Sequence, residues 1–228
     1  MLAGGRGGPV RTGALAMAGR EQHCRAGADW SGGDGVDVNR GGLRHTLRID
    51  QLTVPGTDGQ LGLARCPGTH ESGLARRGRT RAIERDLAAV RDWGASMLVT
   101  LMDAQELTRC GVADLGDRAR ERLTWLWLPI VDRGVPDARF ERAWSTAGPM
   151  IHERLETGAK VVFHCLAGLG RSGMIAARVL VERGLAAPAA MAAVRTARPG
   201  AIETPAQEAY VRALRWPSAG DRGAPEPH

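Results

Sequence analysis

The sequence contains a single lysine, Lys160, and few aromatic residues, which make up 4% of the chain. Its basic side chains are therefore almost all arginines, and they are spread along the whole sequence rather than gathered in one patch. Proteins that bind a nucleic-acid backbone usually present such a patch, often with interleaved aromatic side chains. The scattered arginines therefore predict no nucleic-acid partner. The net charge of +6 is still compatible with an anionic substrate.

Cysteine and long apolar runs are also scarce. Cys24, Cys66, Cys110 and Cys165 form no Cys-x-x-Cys pair and are too sparse for a disulfide framework, so we expect free thiols. No run approaches the roughly 18 apolar residues that a membrane span requires. The first 19 residues also lack the apolar region of a signal peptide. These absences predict a cytoplasmic protein with no membrane partner.

The two ends of the chain differ in composition from its middle. Residues 1–42 have almost no large apolar side chains, and residues 217–228 are rich in proline, glycine and charge. Neither stretch can bury enough apolar surface to offset the entropy of ordering. We therefore predict disordered tails at 1–42 and 217–228 around one domain at 43–216, a typical size for a single hydrophobic core.

Strand-like and helix-like patterns alternate through the predicted domain. The predicted strands are Thr46–Val54, Leu61–Ala64, Met97–Leu101, Leu123–Ile130 and Lys160–His164. The predicted helices are Arg81–Trp93 with Thr80 as N-cap, a short helix after Asp103, Asp137–Leu155, Ser172–Arg183, Pro188–Ala197 and Pro205–Leu214. This alternation predicts an α/β fold in which helices flank a central, mostly parallel sheet.

One loop, between a predicted core strand and a helix, has the strongest chemical signal. Residues 164–173 read HCLAGLGRSG, and the backbone N–H groups of such a turn, with the positive end of the following helix, form an anion site. That position favours the thiolate form of Cys165, and the Arg171 guanidinium matches two phosphate oxygens. The loop therefore predicts a phosphate site with Cys165 as nucleophile. The predicted phosphate-binding positions are Leu166, Ala167, Gly168, Leu169, Gly170 and Arg171.

This run resembles the His-Cys-x-x-Gly-x-x-Arg-Ser signature of the cysteine-based protein tyrosine and dual-specificity phosphatases, and it matches every fixed position. The resemblance implies a protein-phosphatase fold that hydrolyses phosphomonoesters of phosphoproteins through a phosphocysteine intermediate, with no metal and no organic cofactor. It further implies that Ser172 donates to the departing thiolate, although Ser172 is also explained as a helix N-cap. We expect His164 to support the loop by hydrogen bonding rather than to act as a base.

Cleavage of a phosphomonoester also needs an acid that protonates the leaving oxygen, and a mobile loop can deliver one. Asp132, in the run LPIVD, resembles the general-acid position of dual-specificity phosphatases. Asp137 is the competing candidate, but its place directly before a helix is typical of an N-cap. We predict that Asp132 is the acid and that Asp137 caps the helix.

The run GAIETPAQ at residues 200–207 allows two interpretations. Thr204 to Gln207 has the pattern of a helix capping box with proline at the first helical position. The run is also similar to a segment of the kinase-associated phosphatases, the group that the chain most resembles over about Leu43–Trp216. In that group the glutamine lies near the catalytic pocket, which implies that Gln207 orients the hydrolytic water. Both interpretations remain open at this point.

Two other protein classes use a similar loop. A phospho-binding pseudoenzyme would bind the anion without turnover. A rhodanese-type sulfurtransferase also places a cysteine in an anion-binding loop, but Asp132 and the Arg-Ser pair would then have no role. An inositide-directed phosphatase is expected to carry lysines where Leu166 and Leu169 stand, so the sequence favours a phosphoprotein or a simple monoester as substrate.

Overall fold

The computed structural model describes residues 36–37, 44–69 and 76–215, so the predicted tails lie outside it except for Val36 and Asp37. The strands are β1 Val36–Asp37, β2 Arg44–His45, β3 Ile49–Thr53, β4 Gln60–Ala64, β5 Ala95–Thr100, β6 Thr124–Trp127 and β7 Lys160–His164. The helices are α1 Arg76–Asp92, α2 Ala104–Arg109, α3 Leu115–Arg120, α4 Ala138–Glu156, α5 Gly170–Glu182, α6 Ala187–Ala197 and α7 Pro205–Ala213. No helix in these ranges is both long and apolar enough to cross a membrane.

Five of these strands form one sheet in the order β3-β4-β7-β5-β6. β4, β7, β5 and β6 are parallel to one another, and β3 pairs antiparallel with β4 at one edge. β1 and β2 form a separate antiparallel pair. The predicted α/β class with a mostly parallel sheet is therefore confirmed.

The sheet is buried on both faces, and each face has its own hydrophobic cluster. Val161 and Phe163 of β7 pack on one face with apolar residues of α4, α5, α6 and α7. Val162 packs on the other face with residues of α1, α2 and α3. A strand that is covered on both faces needs no polar alternation, which explains why the central strand reads as a continuous apolar run.

Several predicted element limits are wrong. Helix α1 begins at Arg76 rather than Arg81, so Thr80 lies inside it and donates its hydroxyl to the Arg76 carbonyl instead of serving as N-cap. Strand β3 begins at Ile49 rather than Thr46. Ser172 is not an N-cap, because helix α5 already begins at Gly170. The short helix α3 has no counterpart in the prediction.

Two of the predicted helix caps are confirmed, and a third is confirmed in part. Asp103 forms a complete capping box with Glu106 at the start of α2. Asp137 caps α4 by accepting from the Phe140 N–H at 2.8 Å. Thr204 accepts from the Gln207 N–H at the start of α7, but the Gln207 side chain accepts from the Glu203 N–H rather than that of Thr204. The last pattern is therefore only half of the predicted box.

Parallel strands bring their carboxyl ends to one edge of the sheet, where ligands of open α/β folds usually bind. The segments that follow β4, β5, β6 and β7 all begin at this edge. They include Cys66, Glu106, Asp132 and Cys165, which are far apart in the sequence.

Candidate active site

The segment at residues 165–169, here called the phosphate loop, joins β7 to helix α5. Cys165, its first residue, is 3% exposed. Gly168 has a φ angle of +74°, and a Cβ at that position would lie 2.4 Å from the Ala64 carbonyl oxygen. Both the left-handed backbone and the close approach to β4 require glycine. The sequence signature therefore places its fixed glycine where no side chain fits.

The carbonyls of the phosphate loop are bound by groups outside the loop. The Cys66 N–H donates to the Leu166 oxygen at 3.1 Å, and the Ile202 N–H donates to the Leu169 oxygen at 3.3 Å. The Arg198 guanidinium donates to the Ala167 oxygen at 2.8 Å. These three donors come from different parts of the chain, so the loop is fixed from several sides.

Cys165 has a hydroxyl neighbour and is one of several buried thiols. Its Sγ lies 3.5 Å from the Oγ of Ser172, which is fully buried in α5. Within the described ranges, Cys66, Cys110 and Cys165 form no disulfide. Burial raises the pKa of Cys66 well above its ordinary value, so that cysteine remains protonated. The same ranges contain no cluster of His, Cys, Asp and Glu that would hold a metal ion.

Arg171 is 2% exposed and connects the phosphate loop to two carboxylates. Its Nη1 and Nη2 donate to Glu106 at 2.6 and 2.9 Å. Nη1 also donates to the Ile130 carbonyl at 3.1 Å, and Nη2 to Asp132 at 2.8 Å. Burial works to lower the pKa of Arg171, but the hydrogen bonds to Glu106 and the nearby negative charge together outweigh it, so the net shift is upward. Of its N–H groups, these bonds leave the Nε–H unused.

Glu106 is the site residue that the sequence interpretation missed. Its capping box with Asp103 gave it a complete local explanation, although its side chain also pairs with Arg171. Its position was the available signal, because it follows β5, the strand next to β7 in the sheet. A carboxylate at that edge, within reach of a buried arginine, serves both the helix start and the phosphate loop.

The structure places the two competing aspartates differently. Asp137 is used as the cap of α4. Asp132 is 55% exposed and reaches Arg171 from a loop that is itself bound to the start of α7. There the Thr204 hydroxyl donates to the Arg133 carbonyl, and the Gln207 Nε2 donates to the Gly134 carbonyl. Asp132 therefore lies beside the phosphate loop, whereas the Asp137 carboxylate is occupied by the helix.

Gln207 is fully buried and touches three segments of the site. It binds the Gly134 carbonyl of the Asp132 loop and accepts from the Glu203 N–H at 2.9 Å. Its side-chain amide also lies against Gly170, the residue of α5 that directly follows the phosphate loop, because a Cβ there would come within 3.0 Å of both amide atoms. The structure thus brings Gln207 to the predicted site.

His164 is buried directly behind Cys165. Its Nδ1 lies 3.4 Å from the Cys165 carbonyl, which can only accept, so Nδ1 carries the proton. Its Nε2 then accepts from the Thr100 hydroxyl at 2.7 Å, and the Thr100 oxygen accepts from the Trp125 indole. Burial lowers the pKa of His164 to about 4. His164 is therefore neutral near pH 7 and holds the loop through a fixed chain of hydrogen bonds.

This burial predicts an acid-sensitive stability. Because the His164 pKa is about 4 in the folded state and near 6.5 in an unfolded chain, the unfolded state binds more protons between these values. Stability from this group is therefore lost as the pH falls from about 6.5 to 4, by roughly 3 kcal/mol in total. Urea unfolding of wild type and His164→Gln across this range measures it, and we expect a shallower slope in the variant. Equal slopes would contradict the prediction.

The pairing of Glu106 with Arg171 predicts a second effect. Glu106→Gln leaves a buried guanidinium without its main counter-charge, and we expect the unfolding free energy to fall by about 3–5 kcal/mol. Added inorganic phosphate supplies negative charge, so it should recover part of the loss. Denaturant unfolding with and without phosphate measures both effects. Glu84→Gln is the control, since Glu84 pairs with Arg118 and Arg122 near the surface and should cost less than about 1 kcal/mol. Equal losses in the two variants would rule the interpretation out.

In a comparison with known proteins, a family of phosphatases matches the part of the chain that carries the candidate site. Residues 72–185, half of the chain, match the family model Tc-R-P, described as "Polymorphic toxin system, DSP-PTPase phosphatase". The matched region contains Glu106, Asp132, Cys165 and Arg171.

Solved structures with a similar fold include two phosphatases and a phosphatase-like protein. Tk-PTP in its active form is 29% identical with a TM-score of 0.52, over 71% of this chain and 92% of that one. Kinase associated phosphatase with serine at the catalytic-site cysteine is 24% identical with a TM-score of 0.64, over 73% of this chain and 92% of that one. The human tyrosine phosphatase-like serine/threonine/tyrosine-interacting protein is 19% identical with a TM-score of 0.51, over 74% and 95%. The last two similarities concern the fold alone.

Proposed function

Because the chain belongs to the Tc-R-P family of DSP-PTPase phosphatases and is a cysteine-based phosphatase of the dual-specificity type, we propose that Cys165, Arg171 and Asp132 carry out its hydrolysis of phosphomonoesters. One observation carries this assignment. The bond of 2.8 Å between Arg171 and Asp132 brings a carboxyl group to the loop that begins with Cys165. Nucleophile, anion-binding group and acid are thereby gathered at one edge of the sheet.

The phosphate loop and Arg171 bind the phosphoryl group. Backbone N–H groups at residues 166–170 and the N-terminal end of α5 supply hydrogen bonds and positive potential. Arg171 adds a charged, planar donor that Glu106 holds in one orientation. Since the loop is already fixed by its outer contacts, these donors are in place before the substrate arrives.

Binding of the substrate also releases the acid. Asp132 accepts from an Nη2 hydrogen of Arg171, and the hydrogen bonds to Glu106, Ile130 and Asp132 leave the Nε–H of Arg171 as the remaining donor. A phosphoryl group that binds Arg171 through Nε and Nη2 therefore displaces the Asp132 carboxylate. Away from the guanidinium, Asp132 is free to turn towards the leaving oxygen, where it acts as the acid. The substrate thus prepares the acid that cleaves it.

In the first chemical step, the Cys165 thiolate attacks phosphorus in line with the ester oxygen. A sulfur–phosphorus bond forms, the phosphorus–oxygen bond breaks, and protonated Asp132 gives its proton to the leaving oxygen. The negative charge of the transferred group stays on oxygens bound by the loop N–H groups and Arg171. The products are a phosphocysteine and an alcohol or a phenol.

In the second step, water attacks the phosphocysteine. Asp132, now ionised, takes a proton from the water, and the sulfur–phosphorus bond breaks to release phosphate. Ser172, whose Oγ lies 3.5 Å from the Cys165 sulfur, donates a hydrogen bond to the departing thiolate. Gln207 retains amide hydrogen-bonding capacity beside Gly170 and orients the attacking water. His164 holds the loop and transfers no proton.

We further propose that the substrates are phosphoproteins carrying phosphotyrosine, phosphoserine or phosphothreonine. The side chains at Leu166 and Leu169 in the phosphate loop are apolar, so they offer no charge to additional phosphates on an inositol ring. Apart from the attacking water, every catalytic group in the proposed reaction belongs to the chain, and no step requires a metal or an organic cofactor. A nucleophilic thiol works best where thiols stay reduced, which favours the cytoplasm.

Phosphate release from p-nitrophenyl phosphate and from a panel of phosphotyrosyl, phosphothreonyl and phosphoseryl peptides tests this function. Rapid acid quenching of a labelled peptide, followed by proteolysis and mass spectrometry, should locate the trapped phosphoryl group on the peptide that contains Cys165. Binding of these compounds without phosphate release would favour the phospho-binding pseudoenzyme instead. Sulfur transfer from thiosulfate without phosphatase activity would favour the sulfurtransferase.

A further inference from the structure

Arg198 is a buried arginine that the reaction above does not use. It follows helix α6, is 9% exposed, and donates to the Ala167 carbonyl at 2.8 Å and to the Asp50 carboxylate. Asp50 lies on strand β3 and is also buried. The other carboxylate oxygen of Asp50 accepts from Arg48 at 2.7 Å. Arg198 therefore links an edge strand to the third peptide unit after Cys165, the one between Ala167 and Gly168.

The peptide unit between Ala167 and Gly168 has a fixed geometry. All described peptide bonds are trans, and in a trans peptide the C=O and the following N–H point in opposite directions. A donor that holds the Ala167 oxygen on the outside of the phosphate loop therefore turns the Gly168 N–H to the inside. Reversal of this unit would place a carbonyl oxygen where the phosphoryl oxygens bind, and like partial charges would repel.

The two neighbouring anchors work in the same direction but are made by the backbone. The Leu166 and Leu169 oxygens accept from the N–H groups of Cys66 and Ile202. At Ala167 a charged side chain takes this place. Glycine at 168 makes this unit the one most free to rotate, since glycine lacks the Cβ that restricts backbone dihedrals. The charged anchor thus acts on the loop peptide whose backbone dihedrals are least restricted by a side chain.

The cost of burying Arg198 supports a role in the site. Its Nε is buried without a hydrogen-bond partner among the described residues, which is unfavourable for stability. An apolar side chain would fill the same volume without that cost. What an apolar residue could not provide is the bond to the Ala167 carbonyl.

We infer that Arg198, oriented by Asp50, is a positioning residue of the phosphate loop: it holds the Ala167 carbonyl outward and thereby aims the Gly168 N–H at the phosphoryl group. The inference rests on the proposed function, because it concerns how that loop binds phosphate. Arg198 does not touch the substrate and acts through the backbone.

Arg198→Lys is the main test, since lysine keeps the charge but cannot bridge Asp50 and Ala167 with a planar fork. We expect the inhibition constant of inorganic phosphate against p-nitrophenyl phosphate to rise about 10-fold, the loss of roughly one charge-assisted hydrogen bond. The kcat/KM value should fall by a similar factor. Arg198→Met removes both bonds and should have a larger effect on both quantities. Asp50→Asn weakens the orientation alone and should give a smaller change, about 3-fold.

Arg178→Lys is the matched control. Arg178 is equally buried at 9% exposure and binds Glu182 and Glu141, but it lies two turns further along α5 than Arg171. Its replacement should lower the melting temperature while leaving the inhibition constant of phosphate within about twofold of wild type. The reason is that the ion pairs of Arg178 contribute to the stability of the fold and do not contact the phosphate loop. This separates a specific effect on phosphate binding from general destabilisation.

The results separate the two levels of the argument. If the wild type neither hydrolyses the aryl phosphate nor gains thermal stability from phosphate, the proposed function fails and the inference fails with it. If the wild type does both, but Arg198→Lys and Asp50→Asn keep its phosphate inhibition constant, the positioning role is overturned and the function stands. The same rise in Arg178→Lys also overturns the role. If the Arg198 variants do not fold, the phosphate inhibition constant of Asp50→Asn decides.

Discussion

Cys165→Ser should reduce phosphate release by about 10⁴-fold or more, towards the uncatalysed rate. A serine hydroxyl is hardly ionised near neutral pH, so it is a far poorer nucleophile than a cysteine in this loop. The variant should still bind inorganic phosphate, because the loop N–H groups and Arg171 are unchanged. Turnover is measured with p-nitrophenyl phosphate, and binding is measured by the rise in melting temperature as phosphate is added.

Cys110→Ser is the control for this experiment. Cys110 is also a buried cysteine outside a disulfide, but it lies at the end of α2. Its replacement should leave turnover almost unchanged. Substantial activity in Cys165→Ser, or an equal loss in both variants, would show that the nucleophile is another group.

Asp132→Asn should reduce kcat by roughly 10²–10⁴-fold for a substrate with a poor leaving group, such as a phosphoseryl peptide. The amide cannot protonate the leaving oxygen. An aryl phosphate with a good leaving group needs less protonation and should lose less activity. The variant should also lose the limb of the pH–rate profile that reports the acid. Steady-state kinetics with both substrates over a pH series measures these effects.

Asp137→Asn is the matched control, because it makes the same chemical change five residues further on. Asparagine caps a helix about as well as aspartate, and the Asp137 carboxylate is bound to the start of α4. We expect kcat to stay within about twofold of wild type for both substrates. The opposite result, with Asp137→Asn inactive and Asp132→Asn nearly normal, would move the acid to residue 137.

Much of the fold follows from local patterns in the sequence. The strand at Lys160–His164 has the limits that were predicted, because a continuous apolar run between turn residues is typical of a central parallel strand. The caps at Asp103 and Asp137 are also confirmed, since each depends on a few neighbouring residues. The predicted start of α1 is wrong because Thr80 is a residue type that often caps helices but here lies inside a longer helix.

The residues of the candidate site also differ in how far a local sequence pattern predicts them. Cys165, Ser172 and Arg171 belong to one continuous signature, which a sequence shows directly. Glu106 and Arg198 lie far from this signature in the sequence. The order of the strands brings Glu106 to Arg171, and a contact between distant segments brings Arg198 to the Ala167 carbonyl. Their local sequence gives each of them an ordinary explanation, as a capping residue or a charged helix end. Only the spatial arrangement shows that one orients Arg171 and the other holds the phosphate loop.

The Arg198–Asp50 contact also has a consequence for how the protein is made. These residues are 148 positions apart in the chain, and both are required to complete one anchor of the phosphate loop. A ribosome that adds about 5–20 residues per second needs roughly 7–30 s to synthesise that interval. Asp50 and the strands of the central sheet are therefore synthesised before Arg198 is available to bind Asp50. Contacts between residues this far apart in the chain are among the slowest to form in folding. Catalytic activity should therefore appear late in synthesis, after helix α6 has left the ribosome, and a chain truncated before residue 198 should bind phosphate weakly even if its sheet has assembled.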